Sequence, residues 1–132
     1  MSAPSATPGP ALVLVVDDED DIREVLRLAL EAEGYRVETA AHGREALARL
    51  AAGARPCLIL LDLMMPVMDG FEFLAARARD PVAAAIPVLV VSAFADRAAA
   101  VTGVAGILKK PVDLDVLLAQ VARHCRASAS GA

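Results

Sequence analysis

The chain has 132 residues, a net charge of −4 and a composition that is 57% hydrophobic but only 3% aromatic. This length suits one domain, no apolar stretch approaches the ~20 residues of a membrane span, and no signal-peptide pattern opens the chain. The basic residues are scattered, which argues against direct nucleic-acid binding. We therefore expect a cytoplasmic domain without membrane insertion, with a core of Ala, Val and Leu.

The two ends are predicted to be disordered tails, at residues 1–10 and 127–132, which leaves 11–126 as the folded domain. The first ten residues contain three prolines and no apolar run, and the last six are small and polar. The two cysteines, Cys57 and Cys125, form no disulfide framework and lack metal-ligand spacing. We expect both to be reduced, small apolar side chains, as in a reducing cytoplasm.

Five apolar runs predict strands, and helical patterns follow them. The first, third and fourth runs are nearly continuous, which is typical of strands covered on both faces of a parallel sheet. In chain order the runs are LVLVV at Leu12–Val16, the segment around Val37, CLILL at 57–61, VLVV at 88–91 and GIL at 106–108. A strand followed by a helix occurs five times along the chain. This alternation predicts an α/β fold with a doubly wound, five-stranded parallel sheet and flanking helices.

The helices are predicted from apolar stripes and end signals. The first stripe is Ile22 to Leu30, and Gly34 follows where a helix end favours a residue that tolerates positive φ. Shorter stripes lie at 46–50, 71–78 and 114–121, with Asp80 and Pro81 ending the third helix and Asp113 capping the last. Only residues 94–105 remain for the fourth helix, so it should be short, about two turns.

Polar residues follow the carboxyl ends of four strands, where open α/β sheets bind ligands. They are Asp17 and Asp18, Asp62, Ser92 and Lys110. Three clustered carboxylates repel unless a cation joins them, and their hard oxygens suit Mg²⁺. A lysine and a serine hydroxyl can bind phosphoryl oxygens, and an Asp carboxylate can act as nucleophile to form an acyl phosphate. Asp62 is therefore predicted to be a phosphoryl acceptor.

Each of these residues alone has a simpler interpretation. Asp17 and Asp18 could cap the first helix, Asp62 could be a turn residue, and Ser92 or Lys110 could be an ordinary loop residue. Lys109 keeps that simpler interpretation, because strand alternation points it away from Lys110. The joint placement of the five residues favours the phosphoryl site.

Four segments then resemble the receiver domain of two-component response regulators, over about residues 12–126. In the family's order they are VLVVDDEDDIREVLRLAL, LILLDLMMPVMDGFEFL, PVLVVSA and ILKKP. The resemblance implies a flavodoxin-like fold with strand order 2-1-3-4-5. It also implies that a histidine kinase or histidine phosphotransfer protein phosphorylates Asp62, and that the domain signals through phosphorylation-dependent contacts with a downstream protein.

The resemblance further implies individual roles. Asp18, Asp62 and the backbone carbonyl of Met64 would bind Mg²⁺, for which Mn²⁺ could substitute, and Asp17 would act through a water. Ser92 and Lys110 would contact the phosphoryl group. In addition, the Lys110–Pro111 peptide bond would be cis and Gly70 would open the third helix.

Some positions depart from the family's pattern. Ile107 occupies the position of the usual switch aromatic, Val112 replaces the frequent Phe after the Lys-Pro pair, and the segment between Ser92 and Lys110 is about one helical turn shorter. Met64 and Phe94 are apolar where the family's hydrolytic water passes, which predicts slow self-dephosphorylation; simple loop packing is the alternative. A half-life of seconds for the phosphorylated form would contradict that prediction.

The sequence is compatible with three classes of function. The favoured one is a stand-alone receiver that is not an enzyme acting on an external substrate; the initial Met and the end soon after the last helix favour a natural single-domain protein over an excised domain. The alternative is a non-phosphorylated scaffold. A metal-dependent phosphatase is disfavoured, because the chain has no cap segment and no second Asp two residues after Asp62.

Overall fold

The computed structural model describes residues 11–101 and 103–125, and the predicted tails 1–10 and 127–132 lie outside that part. Strands and helices alternate along it. In chain order they are β1 (Leu12–Val16), α1 (Asp20–Ala32), β2 (Arg36–Ala40), α2 (Gly43–Ala51), β3 (Leu58–Leu61), α3 (Gly70–Ala78), α4 (Pro81–Ala84), β4 (Val88–Ser92), a 3₁₀ helix (Ala95–Ala100), β5 (Gly106–Lys109) and α5 (Leu114–His124).

The sheet has five parallel strands in the order β2-β1-β3-β4-β5, which confirms the predicted fold class and strand order. In the central pairings, Val15 of β1 lies opposite Thr39 of β2 and Leu60 of β3. The strand order reverses between β1 and β3. A crevice therefore opens at the carboxyl ends of these two strands, which is where a doubly wound sheet binds ligands.

Two apolar cores cover the two faces of the sheet, because successive strand residues point to opposite sides. On one face Leu14 and Ile59 pack with Phe73 of α3, and on the other Val15 and Leu60 pack with the helices α1 and α5. Burying a side chain such as Phe73 contributes roughly 1.5–3 kcal/mol relative to leaving it exposed. No helix among the described residues is long and apolar enough to cross a bilayer.

The predicted helix signals largely hold, with one addition. Gly34 has a φ of 94° after α1, Gly70 begins α3, and Asp113 caps α5 by accepting N–H hydrogen bonds. Asp80 and Pro81, which were expected only to end α3, also begin the short helix α4: the Asp80 carboxylate accepts from the N–H of Val82. Pro at a first helical position costs no hydrogen bond, so the two residues end one helix and begin another.

The short fourth helix predicted for 94–105 is a 3₁₀ helix. Its characteristic i+3 hydrogen bonds include Arg97 N–H to the carbonyl of Phe94, at 2.9 Å, and Val101 N–H to the carbonyl of Ala98, also at 2.9 Å. Ala98 is fully buried in the core. The segment is therefore helical and short, as predicted, but with the hydrogen bonding of a 3₁₀ helix, a form that proteins use in short pieces.

Cys57 and Cys125 form a disulfide, so the expectation of two separate reduced cysteines is wrong. Their Cα atoms are 5.4 Å apart although 68 residues separate them in the sequence. Cys57 directly precedes β3 and Cys125 directly follows α5. Because α5 runs back across the sheet from the carboxyl to the amino ends of the strands, its end meets the start of β3.

Candidate functional site

Three carboxylates meet at the crevice between β1 and β3. Asp17 follows β1 and Asp62 follows β3, and these strands are hydrogen-bonded neighbours. Together with Asp18 they each offer an oxygen within 4.8 Å of the others, so the clustering expected from the sequence is present in the structure. Asp17 and Asp62 are buried, whereas Asp18 is exposed. One side of the cluster is therefore open to solvent.

The backbone fixes one oxygen of each buried carboxylate. Oδ1 of Asp17 accepts the N–H of Glu19 at 2.9 Å, and Oδ1 of Asp62 accepts the N–H of Leu63 at 2.8 Å. The N-cap of α1 is Glu19, and its side chain makes no capping hydrogen bond. Helix capping by Asp17 or Asp18, the simpler interpretation of the pair, is thus not observed, and their carboxylates remain available to the site.

Lys110 supplies the positive charge of the site. Its Nζ lies 2.6 Å from Oδ2 of Asp17, 3.6 Å from Oδ2 of Asp62 and 3.4 Å from Oε1 of Glu19. The peptide bond to Pro111 is cis, as the family resemblance implied. Lys109 is exposed, in agreement with the predicted alternation. The part played by Glu19 was missed from the sequence, where the only signal was a third acid after the Asp pair.

The carboxylates of Asp17, Glu19 and Asp62 thus lie close to one ammonium group, and the pKa values of Asp17 and Lys110 are both shifted. Burial raises the pKa of Asp17, against the opposing hydrogen bond from Lys110. Burial by itself would lower the pKa of Lys110, but the hydrogen bond and attraction from Asp17, followed by attraction from Asp62, raise it overall. An isolated ion pair would lower the pKa of its acid; Asp17 departs from this chiefly because it is buried, and repulsion from Asp62 adds the smallest contribution. The site is short of positive charge.

Ser92 and Met64, the remaining predicted site residues, lie at the carboxyl end of β4 and after that of β3. Ser92 ends β4, which pairs with β3; Leu61 at the end of β3 lies opposite Val90, so Ser92 lies two residues beyond that pair along the neighbouring strand. It is fully buried, and its Oγ accepts the N–H of Phe94 at 3.1 Å, which leaves the hydroxyl proton to donate. Met64, two residues beyond Asp62, is partly exposed, as is Phe94.

The loop after the acceptor is held by the start of α3. Asp69 forms a capping box with Glu72, and the N–H of Gly70 donates to the carbonyl of Leu63 at 2.8 Å. A Cβ at Gly70 would lie 2.5 Å from the carbonyl oxygen of Asp62, so only glycine fits against the acceptor's backbone. Within this loop Val67 has a φ of 69°, a strained conformation for a β-branched residue that the sequence did not reveal.

The donor set fits a small hard cation. Asp17, Asp18 and Asp62 offer oxygen only, and one oxygen of each lies within 4.8 Å of the others, comparable to the ~4 Å that opposite ligands of an octahedral Mg²⁺ span. The excess of carboxylates over ammonium supplies the negative charge that such an ion would neutralise. The residues present therefore suit Mg²⁺ better than a soft metal, since Cys57 and Cys125 are at the opposite edge of the sheet.

Known proteins similar to this chain include response regulators. A family model described as "Response regulator receiver domain" matches residues 13–122. The chain is 40% identical over 119 residues to an uncharacterized 14.6 kDa protein of Leptolyngbya boryana, covering 87% of this chain and 90% of that protein. It is 41% identical over 116 residues to the response regulator MprA of Mycolicibacterium vanbaalenii, covering 85% of this chain but 49% of MprA. It thus spans about half of that longer relative.

Solved structures give the same similarity. The chemotaxis response regulator CheY4 of Vibrio cholerae is 40% identical with a TM-score of 0.75, over 86% of this chain and 97% of that one. The response regulator TrrA of Thermotoga maritima, solved in complex with Mg²⁺-BeF, is 30% identical with a TM-score of 0.76, over 86% of this chain and 97% of that one.

Proposed function

Because this chain belongs to the response regulator receiver family, we propose that Asp62 accepts a phosphoryl group from a histidine kinase or histidine phosphotransfer protein. The phosphorylated domain then signals through contacts with a downstream protein. The observation that supports this most directly is the position of Lys110, whose Nζ lies 3.6 Å from Oδ2 of Asp62. That oxygen is the one not held by the backbone of Leu63, so the free nucleophilic atom has a cation beside it.

In the proposed reaction, Oδ2 of Asp62 attacks phosphorus as the P–N bond of a phosphohistidine breaks. A P–O bond to Asp62 forms, and the electrons of the broken bond return to the imidazole ring. Lys110 stays protonated because its pKa is raised, although burial alone would lower it. Its charge balances one phosphoryl oxygen, and the hydroxyl proton of Ser92 is donated to another.

Asp18, Asp62 and the backbone carbonyl of Met64 would hold Mg²⁺, or Mn²⁺ in its place, with Asp17 acting through a water. When bound, the ion neutralises charge on the phosphoryl oxygens. The remaining requirement is orientation, which this chain provides through the backbone hydrogen bonds to Asp17 and Asp62.

The proposed output is a change of surface, with no reaction on an external substrate. It would act in the cytoplasm and without direct contact to nucleic acid. Ile107 is 39% exposed on β5, next to the 3₁₀ helix, and takes the position of the family's switch aromatic. Met64 and Phe94, each two residues beyond Asp62 and Ser92 in the sequence, are exposed apolar side chains, which supports slow loss of the phosphoryl group; that lifetime stays a prediction.

The test is intact mass after incubation with Mg²⁺ and acetyl phosphate. We expect one added phosphoryl group, which is lost in Asp62→Asn and retained in Asp115→Asn, an exposed carboxylate of α5 outside the site. An adduct that persists in Asp62→Asn would contradict the proposal. If neither acetyl phosphate nor a phosphorylated histidine phosphotransfer protein labels the chain, the non-phosphorylated scaffold becomes the better interpretation.

A further inference from the structure

We propose that the Cys57–Cys125 disulfide is a reversible redox site, opened and closed through Cys57 by a small anionic thiol such as glutathione. These are the only two cysteines of the chain. They lie at the amino edge of the sheet, whereas Asp62 is at the carboxyl end of β3. The redox chemistry is therefore separate from the proposed phosphorylation of Asp62.

The bond anchors the end of α5. The carbonyl of Cys125 accepts the hydroxyl of Tyr35 at 3.3 Å, and its N–H donates to the carbonyl of Val121 at 2.7 Å. Within α5 itself only Leu117 and Val121 are buried. Because so few side chains hold this helix against the sheet, opening the disulfide would loosen the helix end without dissolving the core.

The two cysteines differ in their exposure to solvent. Cys125 is 1% exposed, whereas Cys57 is only partly buried and lines a cavity of about 650 Å³. This volume falls in the range of small-molecule sites, ~300–1,000 Å³. An attacking thiolate therefore reaches the sulfur of Cys57 and expels the thiolate of Cys125.

The same cavity carries positive charge in a protein of net charge −4. Its walls include Arg36, Arg49 and Arg55 against a single acid, Glu38. Arg49 is incompletely paired: its contacts to Glu38 and Glu45 are long, at 3.5 and 3.9 Å, and its buried Nε has no hydrogen-bond partner in the described part of the chain. This arrangement attracts an anionic thiol over a neutral one.

The exchange balances with two equivalents of thiol. The first glutathione thiolate bonds to Cys57 sulfur as the Cys57–Cys125 bond breaks, and the electron pair leaves on Cys125. The second bonds to the glutathione sulfur, which releases Cys57 as thiolate and oxidised glutathione; the two thiol protons end on the cysteines. Oxidised glutathione drives the reverse reaction, which forms the Cys57–Cys125 disulfide again. In the reduced state the Cys57 thiol has an acceptor, the carbonyl of Leu12, 3.2 Å from Sγ.

Stability is the first expected readout. Closing a loop across 68 residues restricts the unfolded chain, so reduction should lower the Tm by roughly 10–15 °C. The Tm of Cys57→Ser and of Cys125→Ser should equal that of the reduced wild type. Adding reductant should not change it. Labelling of Asp62 by acetyl phosphate, measured well below both Tm values, should be the same in both redox states. A wild-type Tm that does not change on reduction would overturn the proposal.

The route of exchange is tested by comparing glutathione with dithiothreitol, whose attacking thiolate carries one negative charge fewer. Disulfide opening is followed by alkylation and mass, and by the fluorescence of Tyr35, the only Tyr in a chain without Trp. In Arg36→Gln/Arg55→Gln, opening by glutathione should slow about three- to tenfold, while opening by dithiothreitol changes less than about twofold. Arg44→Gln, an exposed arginine outside the cavity, should behave as wild type.

Equal slowing with both reductants would overturn the electrostatic route. Absence of the disulfide after equilibration with oxidised glutathione would overturn the redox site itself. Loss of labelling at Asp62 in the oxidised and reduced forms alike would count against the proposed phosphorylation and leave the redox site unaffected.

Discussion

At the residue scale, Val67 is the one non-glycine position with positive φ in the described part of the chain, and it is 65% exposed. Left-handed backbone costs an ordinary residue about 1–2 kcal/mol, part of which glycine loses again through its greater freedom when unfolded. We therefore expect Val67→Gly to raise the free energy of unfolding by about 0.5–1 kcal/mol. Urea unfolding followed by circular dichroism measures the change.

The matched control is Val25→Gly, because Val25 is exposed in the right-handed backbone of α1. That change should lower stability by about 0.5 kcal/mol, since glycine is a poor helix former. A Val67→Gly protein that is less stable than wild type would show that the Val67 side chain contributes more than its backbone conformation costs.

Ionisation of Tyr35 makes the stability of the fold depend on pH. Burial, followed by repulsion from Glu33, raises the pKa of its hydroxyl above the ordinary value near 10. The neutral phenol is thus favoured in the folded state, so this contribution is complete below the ordinary pKa and is lost as pH rises through the higher, folded pKa. Between about pH 9 and 12 the wild type should lose more stability than Tyr35→Phe.

Phenolate absorbance follows this ionisation directly, because the chain has one Tyr and no Trp. A folded-state midpoint at or below that of the urea-unfolded chain would contradict the assignment. The same side chain reports the position of the α5 end through its hydrogen bond to Cys125.

At the scale of elements, the start of α3 supports the acceptor. A Cβ at Gly70 would lie 2.5 Å from the Asp62 carbonyl and 2.8 Å from Cα of Leu63, and both are backbone atoms that cannot rotate away. Gly70→Ala should therefore destabilise the domain by about 1–3 kcal/mol and slow labelling of Asp62 by acetyl phosphate.

Gly106→Ala is the comparison, because its Cβ would meet only the flexible Cδ1 of Leu89 at 3.1 Å. This variant should lose less stability than Gly70→Ala and keep the labelling rate. If both variants label like wild type, the close packing of α3 against Asp62 does not position the acceptor.

Two features of the helices could not be predicted from local sequence patterns. The segment 94–105 was predicted as a short helix from its length, but neither its 3₁₀ form nor the burial of Ala98 in the core was predicted. Arg77 carried no signal in the sequence, yet it is buried and donates to the carbonyls of Ala84 and Ile86, at 3.0 and 2.6 Å. Hydrogen bonds between a side chain and a distant carbonyl depend on packing, which periodicity does not encode.

At the scale of the whole molecule, the unbalanced carboxylates link cation binding to stability. A ligand that binds only the folded state stabilises it by mass action, about 1.4 kcal/mol at tenfold its Kd, or roughly 5 °C in Tm. Millimolar Mg²⁺ should raise the Tm by this order, and chelation should reverse the change. Asp18→Asn should shrink the Mg²⁺ effect without lowering the metal-free Tm, because it removes repulsion within the cluster.

Asp115→Asn should keep the full Mg²⁺ effect, since this carboxylate belongs to α5 and not to the cluster. Sodium chloride at equal ionic strength separates specific binding from screening. An equal rise of Tm with sodium chloride, or an undiminished Mg²⁺ effect in Asp18→Asn, would count against a metal site at this cluster.

Local patterns along the chain were enough to predict five strands that alternate with helices, the parallel sheet and the meeting of Asp17, Asp18 and Asp62, although they did not predict α4. These follow from local apolar periodicity together with the rule that parallel strands end at one edge. Only the tertiary structure decided the Cys57–Cys125 bond, the contact of Glu19 with Lys110 and the strained backbone of Val67. The bond and the contact join residues distant in the chain, and their separations are set by how α5 and β5 pack, which no local pattern records.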